Sequence, residues 1–498
     1  MNTPIVRLYA FILLLFAALV GFTSYWAVFD STALKGETAN RRPLIEEQQV
    51  KRGFIKTSDG VTVAESHPVG GGSHPVYVRD YPQGSLYGNP VGYSFVNTGQ
   101  VGIEKSENAV LAGERNEFTS ILDQLRGIPQ QGANVTLTID SHAQQVATQA
   151  LQNAIASTAG ASGSGGAVVA LNPSTGAVEA MASVPGYDPN KANNTQAFDQ
   201  LVNDKSAPIV NRATQSTYPP GSTMKVVTAA AALDSGKFTP SSVLSGKSPQ
   251  TISGVPLFNA GNEQFGDIDM TTALTNSVNT YFAQVGEQLG TGTMVEYMKR
   301  FGFYSDPALD YPSDQMAASG PYNSSGDLVT SNFDVGRVAI GQGGAEGQDL
   351  ATPLQMAEVA ATVANGGRLM QPTFVQQVTD SDGRVTQKLS PHVQATVISP
   401  QTATELTDMM THVTQEGTAA GLTVNGPSGN VTFAGKTGTA EIGDPANGIN
   451  QPWFIAFAPA QDPQVAVAAT IERCQGCFGA EVAGPVATQV IDTVLNGG

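Results

Sequence analysis

From residue 134 to the C-terminus, strand-like patterns occupy the two ends of the sequence and helical patterns fill the middle. Asn134 to Asp140 alternates apolar and polar residues. Ala167 to Leu171 and Ala177 to Ser183 are apolar runs joined by the turn formers Asn172-Pro173-Ser174-Thr175-Gly176. The remaining strand-like runs come near the end: Val431 to Ala440, then Trp453 to Ala458 and Val465 to Ile471, the last two joined by Asp462-Pro463-Gln464. An Ala/Gln-rich helix is predicted from Ser141 to about Ser157, helical patterns dominate from about Thr223 to Thr362, and a last helix covers Val482 to Leu495. The sheet must therefore join sequence-distant segments, and the fold class is α+β.

Upstream, Leu8 to Phe29 runs without a charge. As a helix this segment is about 33 Å long, enough to cross the hydrocarbon core of a bilayer. It exceeds the usual apolar core of a cleaved signal, so an uncleaved single-pass anchor is expected in spite of the small residues Ser31 and Ala33. Flanking charges decide little, since Arg7 faces Lys35, Arg41 and Arg42 on the other side. A short N-terminal tail beside a long translocated domain favours an extracytoplasmic catalytic part at the cell membrane. Arg52-Gly53-Phe54-Ile55, the turn signal Ser58-Asp59-Gly60 and Val61 to Ala64 then read as a hairpin in a small, mostly β pedestal. The expected division is 1–30 for tail and anchor, 31–135 for the pedestal and 136–498 for a catalytic domain.

With 42 acidic residues against 25 basic ones, the net charge is -17 and no dense Lys/Arg cluster interrupts it. A nucleic-acid partner is not expected. Cys474 and Cys477 are the two cysteines, in a single C-x-x-C. Two sulfurs are too few for a structural zinc site, so a local disulfide is the favoured reading, free thiols come next, and neither a metal nor another cofactor is expected.

Three short motifs carry chemistry. In Tyr218-Pro219-Pro220-Gly221-Ser222-Thr223-Met224-Lys225 a Pro/Gly turn enters the apolar helix Val226 to Leu233. Ser222 falls in the first turn, and Lys225, one turn on, reaches its hydroxyl. Buried there, the amine gives up its proton more readily and can act as base to a serine nucleophile. A Ser-x-x-Lys match arises about once by chance in such a chain, so the elbow context carries the assignment. Ser277-Val278-Asn279 places a hydroxyl and a carboxamide in a tight loop between helical stretches, suited to relaying a proton and fixing a substrate amide. Lys436-Thr437-Gly438-Thr439 lies on a strand, where the Lys offers a positive charge to a peptide carboxylate, the Thr hydroxyls offer donors, and the Gly leaves room for a substrate backbone.

In order, the three resemble the Ser-x-x-Lys, Ser-x-Asn and Lys-Thr-Gly set of penicillin-binding proteins and β-lactamases. Ala339-Ile340-Gly341-Gln342-Gly343, Thr352 to Met356 and Ala364 to Gly367 look like the family's segment between its second and third motifs. Arg52 to Ile55 resembles the pedestal of the class B proteins, and Lys56-Thr57-Ser58 departs from the Asp-Arg-Asn usual there. The resemblance implies a transpeptidase domain with an antiparallel sheet and a helical subdomain. It further implies a D,D-transpeptidase acting on D-alanyl-D-alanine stem peptides or their lipid-linked precursor, open to acylation by β-lactams. In that reading Ser222 is the nucleophile, Lys225 its base, Ser277 the proton relay and Asn279 the acyl-peptide ligand. Lys436, Thr437 and Thr439 hold the carboxylate, and the backbone N–H groups of Ser222 and Thr439 form the oxyanion hole. A separate glycosyltransferase and other division or elongation proteins are the expected partners.

Rival readings have less support. His67, His74, His142, His392 and His412 lack partner motifs for a Ser-His-Asp hydrolase, and no Glu-x-x-Leu-Asn segment serves a class A β-lactamase. A D,D-carboxypeptidase differs in sending water to the acyl-enzyme, and the pedestal favours the transferase. Intact Ser222, Lys225 and Lys436 argue against a non-catalytic scaffold, and the lack of an appended cytoplasmic domain argues against a β-lactam sensor.

Overall fold

The computed structural model describes residues 3–28, 42–70, 75–113, 131–343, 347–443 and 447–497; Ser31, Ala33, Lys35, Arg41 and His74 lie outside them. The uncharged N-terminal run forms one helix, α1 (Thr3–Val28). It is long and apolar enough to cross a membrane, and none of its apolar stretch is buried against the rest of the protein.

In the pedestal, β1 (Ile55–Lys56) pairs antiparallel with β2 (Thr62–Val69) through the expected Ser58-Asp59-Gly60 turn. Thr57 closes that turn with its own hydroxyl, which accepts from the Val61 amide at 2.9 Å, and Ser58 ties the corner to the Ile139 carbonyl through its amide at 2.9 Å. β3 (Val76–Asp80) pairs with β2, and β4 (Asn134–Leu137) runs parallel to β1 with Val135 opposite Ile55.

Beyond β4 the elements follow in the expected order. Helix α2 (Ser141–Ser157) is capped by Asp140, whose carboxylate accepts from the Ala143 amide at 2.8 Å. Strands β5 (Gly166–Leu171) and β6 (Val178–Val184) form the first hairpin. The helical middle contains α3 (Lys225–Asp234), α4 (Met270–Thr275), α5 (Asn279–Arg300) and α6 (Pro353–Ala364). A short hairpin interrupts it at 250–257, and the strands 320–323 and 347–350 pair across a longer excursion; all four strands are too short for a period-2 pattern to stand out. Then come β7 (Val375–Thr379), β8 (Val385–Lys388), α7 (Pro400–Gln415), β9 (Ala434–Glu441), β10 (Ile449–Ala458), β11 (Val465–Ile471) and α8 (Gly479–Leu495).

The main sheet has the order β9-β10-β11-β5-β6, antiparallel throughout, with the two-residue strand Cys474–Gln475 added beside β10. Sequence-distant strands do meet, with Val168 opposite Ala469. β5 and β11 are buried at every position, because α2 and α8 pack on the sheet together and α6 also lies against it. Gln144 of α2 exchanges two 2.8 Å bonds with the Met181 backbone of β6, fixing helix to strand.

The second sheet, β8-β7-β4-β1-β2-β3, crosses the boundary that the sequence placed at 135. β4 lies between β1 and β7, so a hairpin of the catalytic region supplies two of the pedestal sheet's strands. Asp310 holds the entry to β7, accepting from the Phe374 amide at 2.6 Å and the Val375 amide at 3.0 Å.

The pedestal is centred on one buried carboxylate. Arg52 Nε donates to Glu104 at 2.7 Å, Arg79 Nε at 2.6 Å and the Tyr81 hydroxyl at 3.2 Å. Arg52 is the Arg of the Arg-Gly-x-Ile segment, and Arg79 also bonds the Gly53 carbonyl at 2.6 Å. Burial raises the Glu104 pKa, but Arg79 and Arg52 outweigh it and hold the carboxyl below its ordinary value. Glu104→Gln takes from buried Arg79 its one acidic partner among the described residues, while Arg52 keeps Glu47 at 3.2 Å; it is expected to cost about 3–5 kcal/mol, read as a lowered melting transition by calorimetry. Because the folded pKa is depressed, the stabilisation exists above the unfolded value and is lost as pH falls through the folded one. The native chain's melting temperature should therefore fall on acidification, more steeply than that of the Gln variant.

Candidate active site

Ser222 lies in the 3-10 turn Gly221–Met224, which runs directly into α3. Several contacts clamp this elbow. The Gly221 amide donates to the Gly341 carbonyl at 3.0 Å, and Tyr218 and Ala351 exchange backbone bonds at 2.9 and 2.8 Å. Trp453 Nε1 of β10 donates to the Pro219 carbonyl at 2.9 Å. A Cβ on Gly341, at φ +69°, would stand 2.1 Å from the Gly221 oxygen, which explains the glycine of the Ile340-Gly341-Gln342-Gly343 segment.

Lys225 is fully buried, and its Nζ lies 2.9 Å from Ser222 Oγ. It also reaches the Ser277 carbonyl at 2.6 Å, Asn279 Oδ1 at 2.7 Å and Ser277 Oγ at 3.2 Å. Ser277 adopts a left-handed backbone, φ +58°, that turns both oxygens toward this amine. Lys436 is likewise buried and reaches Ser277 Oγ at 2.9 Å and the Thr437 carbonyl at 3.1 Å. Both amines thus converge on one serine hydroxyl, and every partner named here is neutral. Burial, then repulsion from Lys436, pushes the Lys225 pKa well below its ordinary value; burial lowers that of Lys436 to about 7. A neutral amine at position 225 has a lone pair available for the Ser222 proton.

Strand β9 forms the opposite wall. Thr439 lies opposite Pro452, which has no N–H, and the Pro452 carbonyl is engaged by the Thr470 hydroxyl on the β11 side at 3.0 Å. The pair is therefore of the non-bonded kind, and the Thr439 N–H points to the free edge of β9. Gly438 has a different purpose from the one expected. A Cβ there would meet the Pro220 carbonyl, Thr223 Cγ2 and Trp453 Cβ, each at 2.9 Å, so the missing side chain admits the elbow and β10, not a substrate. Lys436 is a buried amine behind Ser277, its pKa lowered by burial, and Thr437 and Thr439 follow it on the same strand.

The structure thus brings Ser222, Lys225, Ser277, Asn279 and Lys436 into one hydrogen-bonded cluster beside Thr437 and Thr439. Sequence reasoning missed several neighbours. Thr418, in the turn after α7, places its hydroxyl 2.6 Å from that of Thr437. The Phe258 carbonyl accepts from Asn279 Nδ2 at 3.0 Å, and Trp453 and Gly479 pack beneath the strand. Each lies far away in sequence and carries no local motif. His67, His142 and His392 are exposed, and His412 bonds Glu416 on its own helix. Cys474 and Cys477 are paired as a disulfide.

Comparison with known proteins places the whole chain in a family. Residues 166–492 match the penicillin binding protein transpeptidase domain, and residues 52–135 match the penicillin binding protein A dimerisation domain. The chain is 36% identical over 521 residues to the peptidoglycan D,D-transpeptidase PbpA of Mycolicibacterium smegmatis, and 33% over 514 to that of Mycobacterium tuberculosis. Both alignments cover 100% of each chain. The solved structure of penicillin-binding protein A from M. tuberculosis, an imipenem acyl-enzyme complex, is similar at a TM-score of 0.77 and 32% identity, over 91% of this chain and 100% of that one. With a motif cluster in working geometry and relatives matched end to end, this chain belongs to the class B penicillin-binding proteins.

Proposed function

We propose that the chain is a serine peptidoglycan D,D-transpeptidase, and that the buried, acid-free Lys225 amine 2.9 Å from Ser222 Oγ carries the reading. Its relatives named peptidoglycan D,D-transpeptidase and the β-lactam acyl-enzyme of the similar structure support it. Ser222 Oγ attacks the carbonyl carbon of the penultimate D-Ala while its proton passes to Lys225. The backbone N–H groups of Ser222 and Thr439 receive the negative charge that develops on the carbonyl oxygen. Collapse breaks the C–N bond, and Ser277, bonded to both amines, passes a proton to the departing D-Ala. The acyl-enzyme is then resolved by an amine of a neighbouring stem peptide. Thr437 and Thr439 bind the terminal carboxylate in the field of Lys436, and Asn279 orients the acyl peptide once substrate displaces one of its present bonds.

The same proposal reads α1 as an uncleaved anchor with the catalytic part outside the cytoplasm, and retains 1–30, 31–135 and 136–498 as the sequence division. A separate glycosyltransferase in the division or elongation machinery supplies the glycan strands.

Labelling the protein with fluorescent penicillin tests the nucleophile: Ser222→Ala should abolish the covalent label, and a labelled mutant would place the chemistry elsewhere. Given a D-Ala-D-Ala donor and an acceptor amine, the native enzyme should form the new amide; free donor acid alone would indicate a carboxypeptidase.

The pH profile follows from the two amines. Lys225 acts unprotonated, so acylation should rise with pH through its lowered pKa. Lys436 loses its charge above about 7, so capture of a carboxylate should weaken on the alkaline side and give a bell-shaped dependence. Lys436→Gln removes the repulsion that helps depress Lys225, so the acid limb should move to higher pH. A limb that stays in place in stopped-flow acylation would exclude the coupling.

A further inference from the structure

Beyond the proposed active site, and resting on that reading, we infer that the Cys474–Cys477 disulfide is a positioning element for acylation. The pair lies between the end of β11 and the start of α8, and three sets of contacts connect it to β10 and the segment before it, beside the reacting strand. Cys474 is within the sheet: Asn450 of β10 lies opposite it, and on the other side of β10 Asn450 lies opposite Glu441 of β9. The intervening loop is stitched to the segment before β10 by Gly476 N to the Gly448 carbonyl at 2.9 Å and Gln475 Nε2 to the Asn447 carbonyl at 2.8 Å. Asn450 Nδ2 fixes the Cys477 carbonyl at 3.0 Å.

Two residues later the chain reaches Thr439. The Gly479 amide donates to Thr439 Oγ1 at 3.3 Å. A Cβ on Gly479 would stand 2.2 Å from the Trp453 carbonyl and 2.4 Å from that of Gly438, so this first residue of α8 is seated on the backbone of the Lys-Thr-Gly strand. Two residues span about 7 Å at most, so a displacement of Cys477 is felt at Gly479. The loop is further tied by Gln475 N to the Ala159 carbonyl at 2.8 Å and Phe478 N to Glu481 at 3.3 Å, and Phe478 itself is 51% exposed, contributing little burial to hold it. The disulfide makes this short path stiff, and through Gly479 it sets where Thr439 presents its N–H.

A positioning role predicts a split between binding and chemistry. A misplaced oxyanion donor weakens contact with charge that exists only in the transition state. The test is acylation by fluorescent penicillin over a range of concentrations, comparing the native protein, the Cys474→Ser/Cys477→Ser variant, and native protein reduced with dithiothreitol and alkylated at both thiols. The expected result is a fall of about tenfold in the saturating acylation rate with a half-saturating concentration changed less than about twofold. The melting temperature should stay within a few degrees. An unchanged saturating rate in folded, disulfide-free protein overturns the inference. If the variant and the reduced protein both unfold, the bond is a folding staple and the inference is likewise overturned. Labelling of the native protein separates the two levels: absence of label on it would count against the proposed function, whereas a normally labelled native protein with an equally fast disulfide-free variant counts only against the disulfide's role.

Discussion

Strand β9 and the Pro219–Gly221 turn approach each other more closely than side chains permit, and the active cluster depends on that approach. Gly438 faces the Pro220 carbonyl, Gly341 backs onto Gly221, and Gly479 seats the last helix on the far side of the same strand. Three glycines from three regions thus let backbone meet backbone. Ser222 arrives on the turn, Lys436 on the strand, and Ser277 on the loop between α4 and α5. None of these elements alone places the proposed nucleophile, base and oxyanion donor together.

Electrostatics follows from the packing. Removing two lysine amines from water costs free energy that an acidic partner would normally offset. Here the partners are hydroxyls, a carboxamide and carbonyls, which stabilise an amine without fixing its proton. The second amine then depresses the first. A carboxylate beside Lys225 would give a tighter, more ordinary ion pair and a useless base.

The clustered trio of motifs was legible because each is short and their order is informative: Ser222 with Lys225, Ser277 with Asn279, Lys436 with Thr437 and Thr439. The main sheet was legible too, because β5, β10 and β11 are long apolar runs. What stayed hidden was set by tertiary contact. Gly438 reads from sequence as space for a ligand, and only the Pro220 and Trp453 contacts reveal what fills it. Lys436 reads as a fixed charge until its burial is known. The strands β7 and β8 are short and mostly polar in sequence with no clear alternation, β8 is exposed throughout, and their membership in the pedestal sheet depends on the pairing of β7 with β4.

That shared sheet has a mechanical consequence. Because β4 is held between β1 and the β7 strand, and Asp310 grips the entry to β7, pedestal and catalytic region have no compliant joint at residue 135. Swinging one against the other would require shearing a ladder of backbone hydrogen bonds all at once. A load applied to the pedestal is therefore transmitted along a continuous ribbon into the body that carries Ser222, and the molecule turns as a single lever.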